Sequence, residues 1–177
     1  MTFLSSYVPN EQQKKQLQYL KDLVETCQRE NIKITVYGGY GLDGLLGRLT
    51  RDHHDIDILV REPERDMLKS LLLTFCFHME RENASKEVFK NMDLGKDFQV
   101  EINKQNRLEE FTSVGGKEIF PDKENACLEG FYFTTPTLKG HDHIHEMQSR
   151  RAKERGWVSE YRHSEHTTKI KDILRSN

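Results

Sequence analysis

Hydrophobic residues recur along this chain with two different periods. Between residues 11 and 30, leucines and a valine are spaced three or four positions apart among Lys, Gln and Glu, which predicts an amphipathic helix. Residues 32–37 alternate β-branched and polar side chains, which predicts a strand. This strand runs directly into Gly38-Gly39, where the backbone must turn tightly or approach a ligand closely. The chain therefore begins with a helix, a strand and a glycine turn.

The rest of the chain continues this mixture of helices and strands. Further helices are predicted at 40–46, from Pro63 onward, from Pro136 to about 155, and at about 164–174. Further strands are predicted at about 56–60, 75–81, 88–92, 98–102, 118–120 and 130–133. Gly95 suggests a hairpin between the strands on either side of it. Because several strands follow the second helix in succession, we expect an α+β fold with a mixed sheet rather than a doubly wound one. The predicted units are a core with flanking helices at 1–135 and a short C-terminal helical segment at 136–177.

Composition narrows the class of protein. With 177 residues, 32% charged and 35% hydrophobic, the chain can form one packed domain, with or without a small appendage. Its net charge of −2 lacks the strongly basic character of nucleic-acid binders, which argues against nucleic acid and leaves a small or cationic substrate. No apolar run reaches the length of a membrane span, and residues 1–10 lack a signal-peptide pattern. Cys27, Cys76 and Cys127 match no metal or redox motif, which predicts free thiols in a reducing cytoplasm.

Two carboxylates two residues apart are the main candidate chemistry. Asp55 and Asp57 lie at the start of the predicted 56–60 strand, where side chains at i and i+2 point to the same face. Two negative charges held together are costly unless a cation neutralises them. Hard oxygen ligands suit Mg²⁺, and two such ions can activate an attacking hydroxyl and stabilise the leaving oxygen. The pair therefore predicts a two-metal site.

A third carboxylate is expected from a neighbouring strand. Glu101 is the first candidate because it is a polar position between apolar ones in the 98–102 strand. There it could bind the second metal and accept the proton of an attacking hydroxyl. Asp97 is the alternative, although its place at the start of that strand favours a role in the turn.

Gly38-Gly39 supplies the complementary half of a phosphate site. A strand that ends in two glycines and enters a helix presents backbone N–H groups to an anion. The segment matches neither a Walker A loop nor the dinucleotide-binding fingerprint. Arg48, Arg51 and Arg61 flank the site, and any of them could neutralise triphosphate charge.

The stretch from Gly38 to Asp57 resembles the signature of the small antibiotic nucleotidyltransferases. It reads Gly-Gly-Tyr-Gly-Leu-Asp-Gly-Leu-Leu-Gly-Arg-Leu-Thr-Arg-Asp-His-His-Asp-Ile-Asp. It is most similar to the aminoglycoside 2″-adenylyltransferases, with the lincosamide nucleotidyltransferases close behind. These share Gly-Gly, a helix carrying an Asp, Gly-Arg or Gly-Lys, Arg-x-His and Asp-x-Asp. Arg51 lies inside this motif and is our preferred phosphate-binding arginine.

The resemblance implies a minimal DNA-polymerase-β-like core and a reaction. The family moves a nucleoside monophosphate from an NTP, here ATP or another, to a hydroxyl of a small acceptor and releases pyrophosphate. Asp55 and Asp57 fall on its metal-binding pair, and Glu101 falls near its third carboxylate, which is commonly Asp. Residues 103–111 contain Lys and Arg, where the aminoglycoside enzymes carry an aromatic-rich, acidic antibiotic-binding segment.

Two other functions compete with small-molecule modification. One is nucleotide transfer to a macromolecule such as tRNA or a protein, for which local Lys/Arg clusters leave room. The other is a non-catalytic nucleotide-binding module, which would not need to keep both glycines and both aspartates. Nothing in the pattern specifies an oligomeric state.

Several polar residues near the motif or in the C-terminal helices have ordinary interpretations. Asp43 is interpreted as a favourable partner of the helix dipole, with a direct binding role as the alternative. His53 is interpreted as a structural hydrogen-bonding residue. His141, His143 and His145 lack the glutamate of a zinc-protease motif, so a metal site is disfavoured and a pocket-lining role is the alternative. Lys139 or Lys169 could contact phosphate from this half of the chain.

Overall fold

A five-stranded mixed sheet is the centre of the fold in the computed structural model, which describes residues 7–82, 86–95, 98–104, 122–154 and 165–176. Its strands are β1 (Ile34–Tyr37), β2 (Asp55–Val60), β3 (His78–Glu82), β4 (Lys86–Lys90) and β5 (Gln99–Lys104). Their spatial order is β1-β2-β5-β4-β3. All neighbours are antiparallel except β2 and β5, which are parallel. The mixed sheet confirms the predicted α+β class.

Five helices and a hairpin surround this sheet in the described part of the chain. The helices are α1 (Glu11–Arg29), α2 (Gly38–Leu46), α3 (Glu62–Thr74), α4 (Leu138–Glu154) and α5 (Glu165–Ser176). A short 3₁₀ turn, Met92–Leu94, joins β4 to β5. The strands β6 (Lys123–Leu128) and β7 (Phe131–Pro136) form a separate antiparallel hairpin. This hairpin contacts β1 through β7 and α2 through β6, and α4 and α5 also contact α2.

The two faces of β2 lie in different surroundings. Ile56, Ile58 and Val60 belong to the main core, together with buried side chains of α1 and α3. The residues between them point to the opposite face because side chains alternate along a strand. On that face Leu59 packs with Tyr37 and Ile144 of α4 in a second, smaller apolar cluster. The first positions of β2 on this second face are Asp55 and Asp57, which leaves the carboxylates outside the main core.

The ends of the helices follow from local chemistry. The side chain of Asn10 caps α1 by accepting a hydrogen bond from the backbone N–H of Gln13 at 2.8 Å. Pro63 lies in the first turn of α3, where its missing N–H is not needed. Gly47 ends α2 in the left-handed conformation, with φ of 77°. Each of these three helix ends therefore has a local cause in the sequence.

Most predicted elements are present within a few residues of their expected positions. The strand β6 was not predicted, and the predicted strand at 118–120 lies outside the described residues. Of the helices in the described ranges, none has the length and apolar character to cross a bilayer. All three cysteines are free, with Cys27 buried and Cys76 exposed. The predicted division of the chain into a core at 1–135 and a C-terminal helical segment at 136–177 remains a prediction.

Candidate active site

Candidate site residues pack against both glycines of the Gly38-Gly39 turn. Gly38 follows β1 directly and has φ of +67°, a conformation that glycine adopts without strain. A Cβ on Gly38 would overlap Asp57 Oδ2 and lie 3.2 Å from Asp57 Cγ. A Cβ on Gly39 would lie 2.5 Å from His53 Nδ1 and 2.9 Å from Arg51 Nη2. One turn thus has a carboxylate against its first glycine, and an imidazole and a guanidinium against its second.

The sheet brings the three predicted carboxylates together. Asp55 and Asp57 share a face of β2, and the parallel register places Glu101 beside Asp57 and Gln99 beside Asp55. The pKa of the half-buried Asp57 is raised well above its ordinary value by burial, and further by the charges of Asp55 and Glu101. Lys86 and a hydrogen bond with Tyr37 oppose this shift. Asp57 therefore lies where negative charge is concentrated and poorly solvated.

Lys86 neutralises part of that charge by pairing with Glu101. Its Nζ lies 2.5 Å from Glu101 Oε2, and Gln99 Nε2 donates to Glu101 Oε1 at 2.7 Å. Glu101 itself is 8% exposed. Both oxygens of the third carboxylate are therefore engaged. Sequence reasoning did not identify Lys86, because its proximity to Glu101 depends on the pairing of β4 with β5. Gln99 was also missed, although it lies two residues before Glu101 on the same strand, a spacing that puts both side chains on one face.

The donor chemistry of this cluster fits a divalent cation in part. Asp55 and Asp57 offer hard oxygen atoms, and a cation would relieve the repulsion that raises the pKa of Asp57. Within the described ranges, no three His, Cys, Asp or Glu side chains are arranged to hold an ion as they stand. Each oxygen of Glu101 accepts one hydrogen bond, from Lys86 or Gln99, so one lone pair on each oxygen would remain for an ion. The alternative third carboxylate, Asp97, lies outside the described residues.

Asp43 does not act as a partner of the helix dipole, contrary to the sequence interpretation. It is the sixth residue of α2, is fully buried, and faces the loop that follows the helix. Its Oδ1 accepts from Thr50 Oγ1 at 2.5 Å, and its Oδ2 accepts from Thr50 N at 3.0 Å. Its Oδ2 also lies 2.8 Å from His53 Nε2. Asp43 therefore ties residues 50–53 to α2, and this role could not be read from helix position alone.

The C-terminal helices contribute polar residues on the far side of α2. His141 is fully buried beside Gly41, and its Nε2 lies 3.2 Å from Thr135 Oγ1. Burial, with His145 and Lys171, lowers the pKa of His141 to about 3. Lys171 pairs with His145 Nδ1 and with Asp142, the latter at 2.8 Å.

The remaining lysines and arginines that were proposed to contact phosphate differ in their exposure and in their distance from the glycine turn. Lys139 is exposed, and the side chain of Lys169 lies outside the described residues. Arg48 and Arg61 are exposed, whereas Arg51 is half-buried against Gly39. Of the three arginines considered, only Arg51 is placed at the turn by its side chain's approach to Gly39.

The fold is similar to those of solved antibiotic-modifying enzymes. The solution structure of the antibiotic-resistance factor ANT(2″)-Ia aligns with a TM-score of 0.67 at 14% identity, covering 93% of this chain and 84% of that one. Lincomycin-bound LnuA, a lincosamide antibiotic adenylyltransferase, aligns with a TM-score of 0.63 at 19% identity, covering 92% and 96%. ANT(2″)-Ia in complex with adenylyl-2″-tobramycin aligns with a TM-score of 0.60 at 17% identity, covering 92% and 98%. These likenesses establish the nucleotidyltransferase fold.

The sequence narrows this class to one family. Residues 19–110, more than half of the chain, match the family model of the aminoglycoside-2″-adenylyltransferases. The chain belongs to this family and is a nucleotidyltransferase. The match covers the stretch from Gly38 to Asp57 on which the resemblance rested, and that resemblance is confirmed. No curated protein sequence matches the chain.

Proposed function

We propose that this enzyme transfers AMP from ATP, or the corresponding group from another NTP, to a hydroxyl of a small antibiotic-like acceptor. The observation that supports this most is the Gly38-Gly39 turn, which has Asp57 against one glycine and Arg51 against the other. A triphosphate needs cationic and N–H groups along its length, and its reacting phosphorus needs carboxylates that can hold metal ions. The ligands of the two related enzymes, adenylyl-2″-tobramycin and lincomycin, support an acceptor of the aminoglycoside or lincosamide kind.

Asp55, Asp57 and Glu101 are the residues that would hold Mg²⁺, one or two ions, in this proposal. When bound, Mg²⁺ supplies positive charge that stabilises the phosphate oxygens during displacement. The backbone N–H groups of the turn and the guanidinium of Arg51 bind the remaining phosphate charge. Burial and the neighbouring carboxylates raise the pKa of Asp57 in the protein alone, so they disfavour its charged form. We infer that bound metal ions would supply the positive charge that this site needs.

Glu101 is proposed to accept the proton of the attacking hydroxyl. The acceptor oxygen forms a bond to the α-phosphorus, the bond to the pyrophosphate oxygen breaks, and the hydroxyl proton passes to a Glu101 oxygen. Both oxygens of Glu101 already accept hydrogen bonds, from Lys86 Nζ at 2.5 Å and from Gln99 Nε2 at 2.7 Å. Each carboxylate oxygen has a second lone pair, and the proton would pass to one of these.

The proposed reaction is tested by measuring pyrophosphate release. The purified protein is incubated with Mg²⁺, each of the four NTPs and a panel of aminoglycosides and lincosamides, and the product is identified by mass spectrometry. We expect a nucleotidylated antibiotic with one NTP preferred. Label transferred from NTP to RNA or protein in a lysate, but to no antibiotic, would instead identify a macromolecular acceptor. Failure of the protein to bind Mg²⁺–NTP would indicate a degenerate core without transferase activity.

Replacing Glu101 by Gln should separate chemistry from binding. The amide of the variant cannot accept a proton, so we expect kcat to fall by about 10²- to 10⁴-fold while the Kd for NTP changes by less than about threefold. Turnover is measured by pyrophosphate release and binding by calorimetry. Glu124→Gln, at an exposed position of β6, is the matched control and should behave as wild type. Normal turnover in the Glu101 variant would assign the base to another residue.

We also propose that the protein acts in the cytoplasm. NTP is available there, and three cysteines that do not pair with one another suit a reducing compartment.

A further inference from the structure

Lys86 places a positive charge within the cluster of carboxylates. Its Nζ lies 2.5 Å from Glu101 Oε2, and the side chains of Lys86 and Glu101 are only 28% and 11% exposed. The charge of Lys86 also reaches Asp57, where it opposes the rise in pKa that burial and the other carboxylates cause. Charges with so little exposure are screened less than charges at the surface. One ammonium group therefore acts on two of the predicted metal ligands at once.

The pairing of the strands holds Lys86 on the same face of the sheet as the carboxylates. The register places Asp57 of β2 beside Glu101 of β5, and Glu101 beside Val88 of β4. Lys86 lies two residues before Val88, and residues two apart on a strand point to the same face. Lys86 therefore extends to Glu101 from β4, whereas Asp57 adjoins Glu101 from β2.

A second divalent ion on Glu101 would have to bind close to this ammonium group. Mg²⁺ binds a carboxylate oxygen at about 2.1 Å, so an ion on either oxygen of Glu101 would lie no more than about 7 Å from Lys86 Nζ. Like charges at this distance repel each other strongly where solvent is largely excluded. The lone pairs that remain on Glu101 are thus available to a proton but unfavourable for a second ion.

The balance of charge indicates the same number of ions. Asp55, Asp57 and Glu101 supply three carboxylates, and Lys86 supplies one ammonium group that is already paired with one of them. The two negative charges that remain are balanced by one divalent ion. Asp55 and Asp57 share a face of β2, so their oxygens can bind that ion together.

We propose that Lys86 takes the place of the second metal ion, so that the site binds a single divalent cation through Asp55 and Asp57. This inference rests on the proposed nucleotidyl transfer and specifies how its positive charge is supplied. The ammonium group of Lys86 provides positive charge beside the attacking hydroxyl, whose proton passes to Glu101. Lys86 keeps its own protons and forms no covalent bond.

Counting the bound ions tests this proposal with a measurement that does not depend on turnover. The protein is mixed one to one with the α,β-methylene analogue of each NTP, which binds without reacting, above the Kd measured by calorimetry. Mn²⁺ is then added, and the free ion is measured by electron paramagnetic resonance. Lys86→Gln removes the charge and Lys86→Arg keeps it. Lys90→Gln is the matched control, because Lys90 lies on the same strand, is 23% exposed and pairs with Glu80 at 2.9 Å.

The number of ions should change only when the charge at position 86 is removed. We expect about one Mn²⁺ per bound nucleotide for the wild type, Lys86→Arg and Lys90→Gln, and about two for Lys86→Gln. Mn²⁺ should also raise the Tm of Lys86→Gln more than that of the wild type, because a ligand that binds only the folded state stabilises it.

Two ions in the wild type or in Lys86→Arg, or an unchanged count in Lys86→Gln, would overturn this inference and leave the proposed transfer intact. If Lys86→Gln does not fold even with Mn²⁺, the counts for the wild type and Lys86→Arg decide the question. A wild-type protein that binds none of the nucleotides with Mn²⁺ would overturn the proposed function and this inference together.

Discussion

Replacement of Asp57 by Asn is expected to abolish nucleotidyl transfer while making the protein harder to unfold. Asn cannot supply the charge that a metal ion requires, so turnover should fall by at least about a thousandfold. Burial and the charges of Asp55 and Glu101 disfavour the ionised form of Asp57 in the protein alone, and Asn removes that penalty. Each kcal/mol gained raises the Tm of a chain of this size by about 2–4 °C. Pyrophosphate release and thermal unfolding measure the two effects.

The pH dependence of the stability difference gives an independent check on the cause. The pKa of Asp57 is raised in the folded state, so its contribution to stability is present below the ordinary value of 3.8 and is lost as pH rises through the folded value. Asn at this position does not titrate. The Tm advantage of the variant should therefore be small in acid and grow toward neutral pH.

A matched acid-to-amide change away from the site provides the control. Asp66 on α3 has a side chain 79% exposed, so Asp66→Asn should alter neither activity nor Tm by a measurable amount. Full activity in Asp57→Asn would refute the assignment of the carboxylates, and a lower Tm at neutral pH would refute the account of its buried charge.

Replacement of Gly38 by Ala should damage both folding and activity. The φ of +67° costs a non-glycine residue about 1–2 kcal/mol, and the added Cβ would overlap Asp57 Oδ2. Since β1 and β2 fix the backbones on both sides, either the turn or the carboxylate must move. We expect a loss of stability greater than the strain cost of about 1–2 kcal/mol alone, together with a loss of turnover. Urea unfolding and the pyrophosphate assay measure these effects.

Gly130, between β6 and β7, is a control that separates the cost of a positive φ from the cost of the steric clash with Asp57. Its φ is +88°, but a Cβ there would meet nothing within 4 Å. Gly130→Ala should therefore show the conformational cost of about 1–2 kcal/mol and retain wild-type kcat. Equal losses of stability in the two variants would show that the approach of Asp57 to Gly38 has no energetic consequence.

The parts of the site that could be predicted from the sequence are the local ones. The common face of Asp55 and Asp57 follows from the two-residue period of a strand. Their proximity to Gly38 depends on the antiparallel pairing of β1 with β2, which places Asp57 opposite Tyr37 and which the sequence pattern does not specify. The placement of Glu101 beside Asp57 depends on the parallel pairing of β2 with β5, which α3, β3 and β4 separate along the chain. Glu101 could be proposed as a polar position within an apolar strand, but its register could not be derived.

The features that were missed depend on contacts between distant segments or on weak patterns. Asp43 and His53 meet across the loop that follows α2, and no periodicity records that contact. Strand β6 begins with three exposed residues and buries only Ala126 and Leu128, so its apolar pattern is too short to identify a strand. Its conformation comes from pairing with β7 and from packing against α2.

The glycines of α2 have a consequence for how this enzyme can diversify. Cβ atoms added at Gly39, Gly41 and Gly44 would lie 2.5–2.6 Å from His53, Thr135 and Phe133, respectively. On more than one side, therefore, α2 has neighbours too close to its backbone to admit a side chain. Substitutions that change the acceptor without disturbing the donor half are expected outside these three positions.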